Sequence, residues 1–324
     1  MSSIRTDLAL EAKEIFEEES KETIPGVTVE NDGNENIKIT RVKITDESGV
    51  KALGKPIGNY ITIEVPDLKY KDVDLMEDLS KNIAKELDRL MDLKDDSSIL
   101  IVGLGNWNIT PDALGPKVTE KVLVTRHITE YVPEQIDESV RPVSAISPGV
   151  LGITGIETSE IIAGVVNHVK PDLVIVVDAL ASRRMERVNS TIQISDAGIN
   201  PGSGVGNNRK ELSKDSLGVD VIAIGVPTVI DAATMATDTI DMIIDGLKKE
   251  GKKDNALLSM IDSLDQEEKY ELISGVFSEQ LRDMIVTPKE IDSIIDDISD
   301  ILADGLNISL HPSIHMDNVA RLVN

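Results

Sequence analysis

The chain has 324 residues, enough for one large domain or two modest ones, with 40% hydrophobic residues but only 2% aromatic. A formal net charge of -25 at pH 7 argues against nucleic-acid or acidic-membrane binding as the main task of the surface. The absence of cysteine excludes disulfides, thiolate catalysis and cysteine-based zinc sites, and four histidines leave little room for a histidine-rich metal site.

There is no signal peptide and no apolar run near the roughly 20 residues that a membrane helix needs, so a soluble, intracellular protein is expected. After a short polar start (MSSIRTD), residues Leu8 to Glu19 have helical character. The polar cluster Glu30 to Asn36 reads as a loop. Alternation in Ile37–Ile44 and in Tyr60–Val65 predicts two strands of a half-exposed sheet. Between Val73 and Leu93, the apolar residues Leu75, Leu79, Ile83, Leu87 and Leu90 mark one face of a long helix.

The next stretch is SILIVGLGNWNITPDALGP. Ile99 to Val102 is a short β-branched and aliphatic run that stops at Gly103 and Gly105, and a polar loop leads through Asn106 to Asp112. Helical periodicity then resumes through Leu114, Val118, Val122 and Leu123. This is the pattern of a buried parallel strand feeding a helix. Glycine and proline density predicts an ordered loop over Pro148–Gly155, and Thr158 is expected to cap a helix with the apolar face Ile161, Ile162, Val165, Val166 and Val169. That helix leads into a second buried strand, LVIVV, ending on Asp178. Thr191–Ser195 reads as a more exposed strand, Gly202, Gly204 and Gly206 as a flexible loop, and Val221–Val226 as a third buried strand, with Pro227 opening a helical region. Lys248 begins a polar linker. Thr287-Pro288-Lys289-Glu290 has the form of a capping box, followed by an isoleucine-rich stripe up to a stop at Gly305. No internal repeat is seen.

Several chemistries fail on spacing. GLGN at 103–106 and GSGVG at 202–206 do not continue as GxGxxG into a helix, and no GxxxxGK[ST] is present, so both glycine stretches read as tight turns. Ser147 and Ser203 lie in no GxSxG elbow. His168 falls late in an amphipathic helix, and Pro312 disrupts the helical spacing of His311 and His315.

The carboxylates are different. A lone aspartate at a strand end usually caps a helix or forms a turn. Asp112 and Asp178, however, follow two strands of an open α/β sheet, where ligands sit outside the carboxyl ends. Two carboxylates sharing a site push one pKa upward, which leaves an acid and a base to activate water and protonate a leaving amine. The same pair could instead ligate a metal.

The runs GLGNWNITPDALGPK, RPVSAISPGVLGITGIETSEII, VDALASRRMERVNSTIQISDAGINPGSGVGN and IAIGVPTVIDA resemble those of the germination proteases of spore-forming bacteria. RTDLALEAKE near the start and MIVTPKEIDSIIDDISDILADGLN near the end fit as well, so the resemblance spans almost the whole chain.

It implies an atypical endopeptidase that degrades small acid-soluble spore proteins during germination, made as a self-processing zymogen, assembled as a homotetramer and located in the cytoplasm of the forespore and spore core. The two catalytic aspartates of that family fall on Asp112 and Asp178. Hydrogenase-maturation endopeptidases share a comparable loop and pair of acids; theirs bind metal together with a histidine. No histidine here takes that place, so the aspartic reading is preferred, with no cofactor. Two departures stand out: only four residues precede Arg5, and the region Lys248 to Asp265 is abbreviated.

The expected architecture is therefore an α/β peptidase with a largely parallel central sheet, like hydrogenase-maturation proteases. Residues 1–7 are read as a propeptide and 8–324 as a single peptidase domain, β-rich over about 30–70 and helical over about 265–310. Amides near Gly103–Asn106 or Gly202–Asn207 are candidates for polarising the scissile carbonyl. Arg183, Arg184 and Arg187, with Lys117, Arg126 and Arg141, are candidates for receiving acidic substrates or for structural ion pairs.

Substrates of the family are cut after an acid, before an apolar residue, with another acid downstream. Thr6-Asp7-Leu8-Ala9-Leu10-Glu11 has that pattern, and cleavage between Asp7 and Leu8 is expected from a segment not tied into the core. Asp7 could also simply cap the following helix. Two other functions stay open on the residues: a metal-dependent maturation peptidase, and a non-catalytic nucleotide-binding α/β protein.

Overall fold

The computed structural model describes residues 7–20, 24–132, 140–200, 210–249, 260–261, 264, 266–277 and 284–311. The first half of the chain contains α1 (Ala9–Ser20), β1 (Val27–Gly33), β2 (Lys38–Ile44), α2 (Glu47–Leu53), β3 (Gly58–Glu64), α3 (Val73–Leu90), β4 (Ile99–Gly103), α4 (Leu114–Lys121), α5 (Arg126–Tyr131) and β5 (Val143–Ile146). Then follow α6 (Leu151–Thr154), α7 (Thr158–Val169), β6 (Leu173–Ser182), β7 (Thr191–Ser195), α8 (Lys214–Leu217) and β8 (Asp220–Asp231). The chain ends, as described, with α9 (Ala232–Lys249), α10 (Gln266–Val276), β9 (Ile285–Val286) and α11 (Ile291–Leu310).

The strands form one mixed sheet in the order β1-β2-β3-β7-β8-β6-β4-β5, with β9 added to β8. Strands β5, β4, β6 and β8 are mutually parallel, and their near-continuous apolar runs suit a sheet covered on both faces. Strand β7 is antiparallel to both β8 and β3, and so joins the β1–β3 meander to the parallel part. The N-terminal β-rich stretch thus continues the central sheet.

One face of the sheet packs Ile99, Ile101, Ile175, Val177 and Ile224 against Leu79, Ile83 and Leu87 of α3 and Ile295 and Leu302 of α11. On the opposite face, Ile162 and Val166 of α7 cover Leu100, Val102, Val174 and Val176. At the other end of that face, Ala9 of α1 and Leu53 of α2 cover Val42, Ile44 and Tyr60. Between these two covers a crevice opens over β6, β8 and β7, lined by Leu180, Gly225, Gln193 and Ser195. No helix of the described residues is long and apolar enough to cross a membrane.

Local signals set most of the boundaries. Asp72 accepts from Leu75 N at 2.9 Å to start α3, which ends at Leu90, three residues before the expected Leu93. Asp46 caps α2 and Gly54 closes it in the left-handed conformation.

Six expectations are corrected. Most of Glu30–Asn36 is strand, because β1 is an exposed edge whose backbone pairs with β2, so its side chains need not be apolar. Thr191–Ser195 is fully buried, since β7 lies between two other strands under covered faces. Pro227 sits inside β8, where a register shift opposite Leu180 and Ala181 tolerates its missing N–H, and the helix begins only at Ala232. Thr158 is the first residue of α7 and its hydroxyl donates to Gly149 O, so it does not cap.

The capping box is not formed either. Thr287 donates to Thr228 O, and the helix starts after Glu290 without a side-chain cap. Finally, α11 runs through Gly305 to Leu310. Gly305 marks close approach to α3, since a Cβ there would lie 2.8 Å from Ile83 Cγ2.

Candidate active site

The two candidate acids lie where the pairing of β4 with β6 ends. Gly103 pairs with Val177, and Leu104 N still reaches Val177 O at 2.8 Å. Asp178 is therefore the first residue of β6 beyond the end of β4. It is 5% exposed, and its carboxylate accepts from Ala179 N at 2.9 Å. It points to the face that holds the crevice, like Val176 two residues earlier.

Asp112 reaches the same strand end from the other side. It closes a one-turn 3-10 helix, Thr110–Asp112, whose position is set from two directions. Asn106 N donates to Asp112 O at 3.0 Å, and Thr228 of β8 donates to Pro111 O at 2.7 Å. Gly105 has φ +118°, and a Cβ there would collide with the Asp112 carbonyl oxygen. The loop can pass this close to Asp112 only because it carries glycine at that position. The half-buried Asp112 is thus held beside Gly105, with its Oδ1 3.3 Å from where a Gly105 Cβ would be.

Of the candidate oxyanion donors, the Asn106 amide is already bonded to Asp112 O, and Gly103 lies within β4. Gly202, Gly204 and Gly206 lie outside the described residues, as do Met1–Thr6 and His315. Among the described residues, no group of three or more His, Asp or Glu is placed to hold a metal ion.

Two of the arginines after Asp178, Arg184 and Arg187, pair with carboxylates of the chain itself. Arg187, 5% exposed, grips Glu14 through two nitrogens at 2.8 and 2.6 Å and also bonds Glu64 at 3.0 Å. These pairs hold its guanidinium more firmly protonated than usual despite burial. Arg184 lies 3.6 Å from Glu14, and both Arg183 and Arg184 line a second cleft with Asp238, Asp241 and Tyr270. Lys117 pairs with Asp296, Arg126 with Glu130 at 2.7 Å, and Arg141 donates to Lys94 O and Leu310 O.

The N-terminal segment departs most from expectation, because it is tied into the core. Leu8 and Ala9 are fully buried, and burying a leucine side chain is worth about 1.5–3 kcal/mol. Glu11, also fully buried, accepts from Ser182 Oγ at 3.1 Å, Arg183 N at 3.0 Å and Arg184 N at 3.2 Å, with Arg187 3.5 Å away. The Asp7 carboxylate accepts from Ala181 N at 3.1 Å. The end of β6 thus receives both acids of the Asp-Leu-Ala-Leu-Glu run.

Among the polar residues of this crevice that escaped the sequence reading are Lys55 and Gln193. Gln193 had a faint signal, since Thr191, Gln193 and Ser195 give a short strand one polar face. Lys55 had none.

A family model described as Germination protease matches residues 5–256 and 249–323. The germination protease of Clostridium tetani (strain Massachusetts / E88) is 53% identical over 322 residues, covering 99% of this chain and all of that protein. That of Bacillus cereus (strain AH187) is 47% identical over 352 residues, covering 98% of this chain and 96% of that one. A solved structure, the [NiFe] hydrogenase maturation protease HycI from Thermococcus kodakarensis KOD1, matches at 24% identity and a TM-score of 0.28, over 44% of this chain and 80% of that one. On the full-length match, the chain belongs to the germination protease family, the peptidases of spore germination.

Proposed function

We propose that Asp112 and Asp178 form one aspartic-type catalytic unit of an endopeptidase acting on small acid-soluble spore proteins. One carboxylate takes a proton from a bound water as it adds to the scissile carbonyl carbon. The other acid protonates the leaving nitrogen as the C–N bond breaks. The observation that supports this reading is that the turn carrying Asp112, after Asn106, and the Asp178 position on β6, directly past Val177, both lie at the carboxyl end of β4. The end of β6 past Asp178 already holds an acid–apolar–acid segment of the chain itself.

That segment supports a second part of the reading: the chain is made as a zymogen that cleaves itself between Asp7 and Leu8, with residues 1–7 as propeptide. We further propose, on the family resemblance, homotetrameric assembly and a place in the forespore and spore-core cytoplasm, and no direct contact with nucleic acid at a net charge of -25.

The test is incubation with a purified small acid-soluble spore protein and mass spectrometry of the products. Discrete fragments ending in Asp or Glu, with the next fragment starting on an apolar residue, are expected. An intact substrate, or cuts without regard to acids, would count against the assignment.

A further inference from the structure

The Asp7–Leu8 peptide bond is unusually well held. Its carbonyl oxygen receives Lys55 Nζ at 3.1 Å and Gln193 Nε2 at 3.1 Å. The same Gln193 side chain accepts from Ala9 N at 2.6 Å, so one amide reads backbone on both sides of the bond. Asp7 is half-buried, and even a fully buried carbonyl needs only one donor to be satisfied. This one has two, and one of them is an ammonium, which makes a stronger bond than a neutral donor. Burial pulls the Lys55 amine below its usual range, with the Asp7 and Glu11 charges opposing that pull.

The position of Gln193 ties this arrangement to the catalytic candidates. Gln193 pairs with Gly225 across β7 and β8, and Gly225 pairs with Asp178 across β8 and β6. The three form one transverse row, with their side-chain positions on one face. Two strand spacings put the Cα atoms of Gln193 and Asp178 roughly 10 Å apart. Leu180 lies over Gly225 in the middle of the row and gives the crevice an apolar floor.

We propose that Lys55 and Gln193 are catalytic residues of self-processing, forming the carbonyl-binding site of the Asp7–Leu8 bond. This rests on the reading that the chain cuts itself there. Water adds to the Asp7 carbonyl carbon and gives its proton to one carboxylate of the Asp112–Asp178 pair. The negative charge then growing on the carbonyl oxygen is met by Lys55 Nζ and Gln193 Nε2, donors already in place. Collapse breaks the C–N bond, the Leu8 nitrogen takes a proton from the pair, and Asp7 leaves as a free α-carboxylate.

The experiment follows release of Met1–Asp7 from the full chain by mass spectrometry, across a pH series, for wild type, Asp178→Asn, Lys55→Met, Lys55→Arg and Gln193→Glu. Wild type should release the segment and Asp178→Asn should not. Lys55→Met and Gln193→Glu should each be slower on the order of 100-fold, the usual cost of one oxyanion donor. Lys55→Arg should keep most of the rate and carry it to higher pH, because a guanidinium stays charged where an amine does not.

If Lys55→Met loses its cooperative melting transition, the near-isosteric Gln193→Glu carries the comparison. Its rate should recover as the pH falls and the new carboxyl becomes protonated. Release by Lys55→Met or Gln193→Glu at the wild-type rate, with Asp178→Asn inert, would leave self-cleavage standing and remove the carbonyl site. A wild type that never releases the segment, or an Asp178→Asn chain that does so equally fast, would remove the reading beneath it.

Discussion

Asp178 and Gln193 stand in one row of the sheet, each paired with the same residue, Gly225, from opposite sides. That row joins a strand chosen for its buried run and terminal acid to a strand whose polar face meets the N-terminus. The glycine between them has a clear reason. A Cβ at Gly225 would run into Leu180, whose side chain occupies that space. Gly225→Ala should force Leu180 out of place at a cost of about 1–3 kcal/mol, the usual range for overpacking. Urea denaturation would measure it, with peptidase activity falling in the same variant. Unchanged stability would mean that Leu180 has room to move aside.

A second prediction concerns Arg187, which holds Glu14 and Glu64 and lies close to the fully buried Glu11. Removing it leaves these carboxylates facing one another without their shared counter-charge. Arg187→Ala should lower stability by about 3–5 kcal/mol, as for other broken buried pairs. Thermal melts at low and high salt would test this, and the loss should persist in high salt because the pair is screened little. A variant of unchanged stability with a raised KM for acidic substrates only would assign Arg187 to substrate binding instead.

The third prediction is pH dependence from His311, which is fully buried at the end of α11. Burial, outweighing a backbone group at Leu123, brings its pKa down to about 4. The unfolded chain therefore binds the proton more readily. The neutral, buried form is fully favourable above about pH 6.5, and stability falls as pH drops from there toward 4. At about 1.4 kcal/mol per tenfold change in proton affinity, the loss is on the order of 3 kcal/mol.

Asp304 acts oppositely in nearly the same window. Burial and the neighbouring Asp300 raise it to about 6, so its contribution worsens as pH rises from about 4 to 6. Asp304→Asn should therefore steepen the acid loss due to His311. Denaturant midpoints at several pH values, with and without that substitution, would show it. Equal slopes in both proteins would contradict these assignments.

The parts of this site legible in sequence were those encoded locally. The runs of β4 and β6 announce buried strands, and Asp112 and Asp178 follow them at the positions where an open α/β sheet places its chemistry. What stayed hidden depends on pairing between distant residues. Nothing near Lys55 points to Asp7, which lies 48 residues away, and Gln193 meets Asp7 across 186 residues. Strand β1 escaped because an edge takes its order from its neighbour's backbone, not from apolar side chains. Pro227 and Gly305 misled for a related reason. Each breaks regular structure by itself, and each is tolerated by one tertiary feature, a register shift for the first and close helix approach for the second.

The central claim is that Asp112 and Asp178 act as one catalytic unit. Its most direct test is the rate at which a small acid-soluble spore protein is cleaved by wild type, Asp112→Asn, Asp178→Asn and the double variant, each with its circular dichroism recorded. Each single substitution should lower the rate by about 1,000-fold or more with the fold intact, and the double should be little worse than either single, as groups working together behave. Cleavage near the wild-type rate by either single variant, with an unchanged spectrum, would contradict the account.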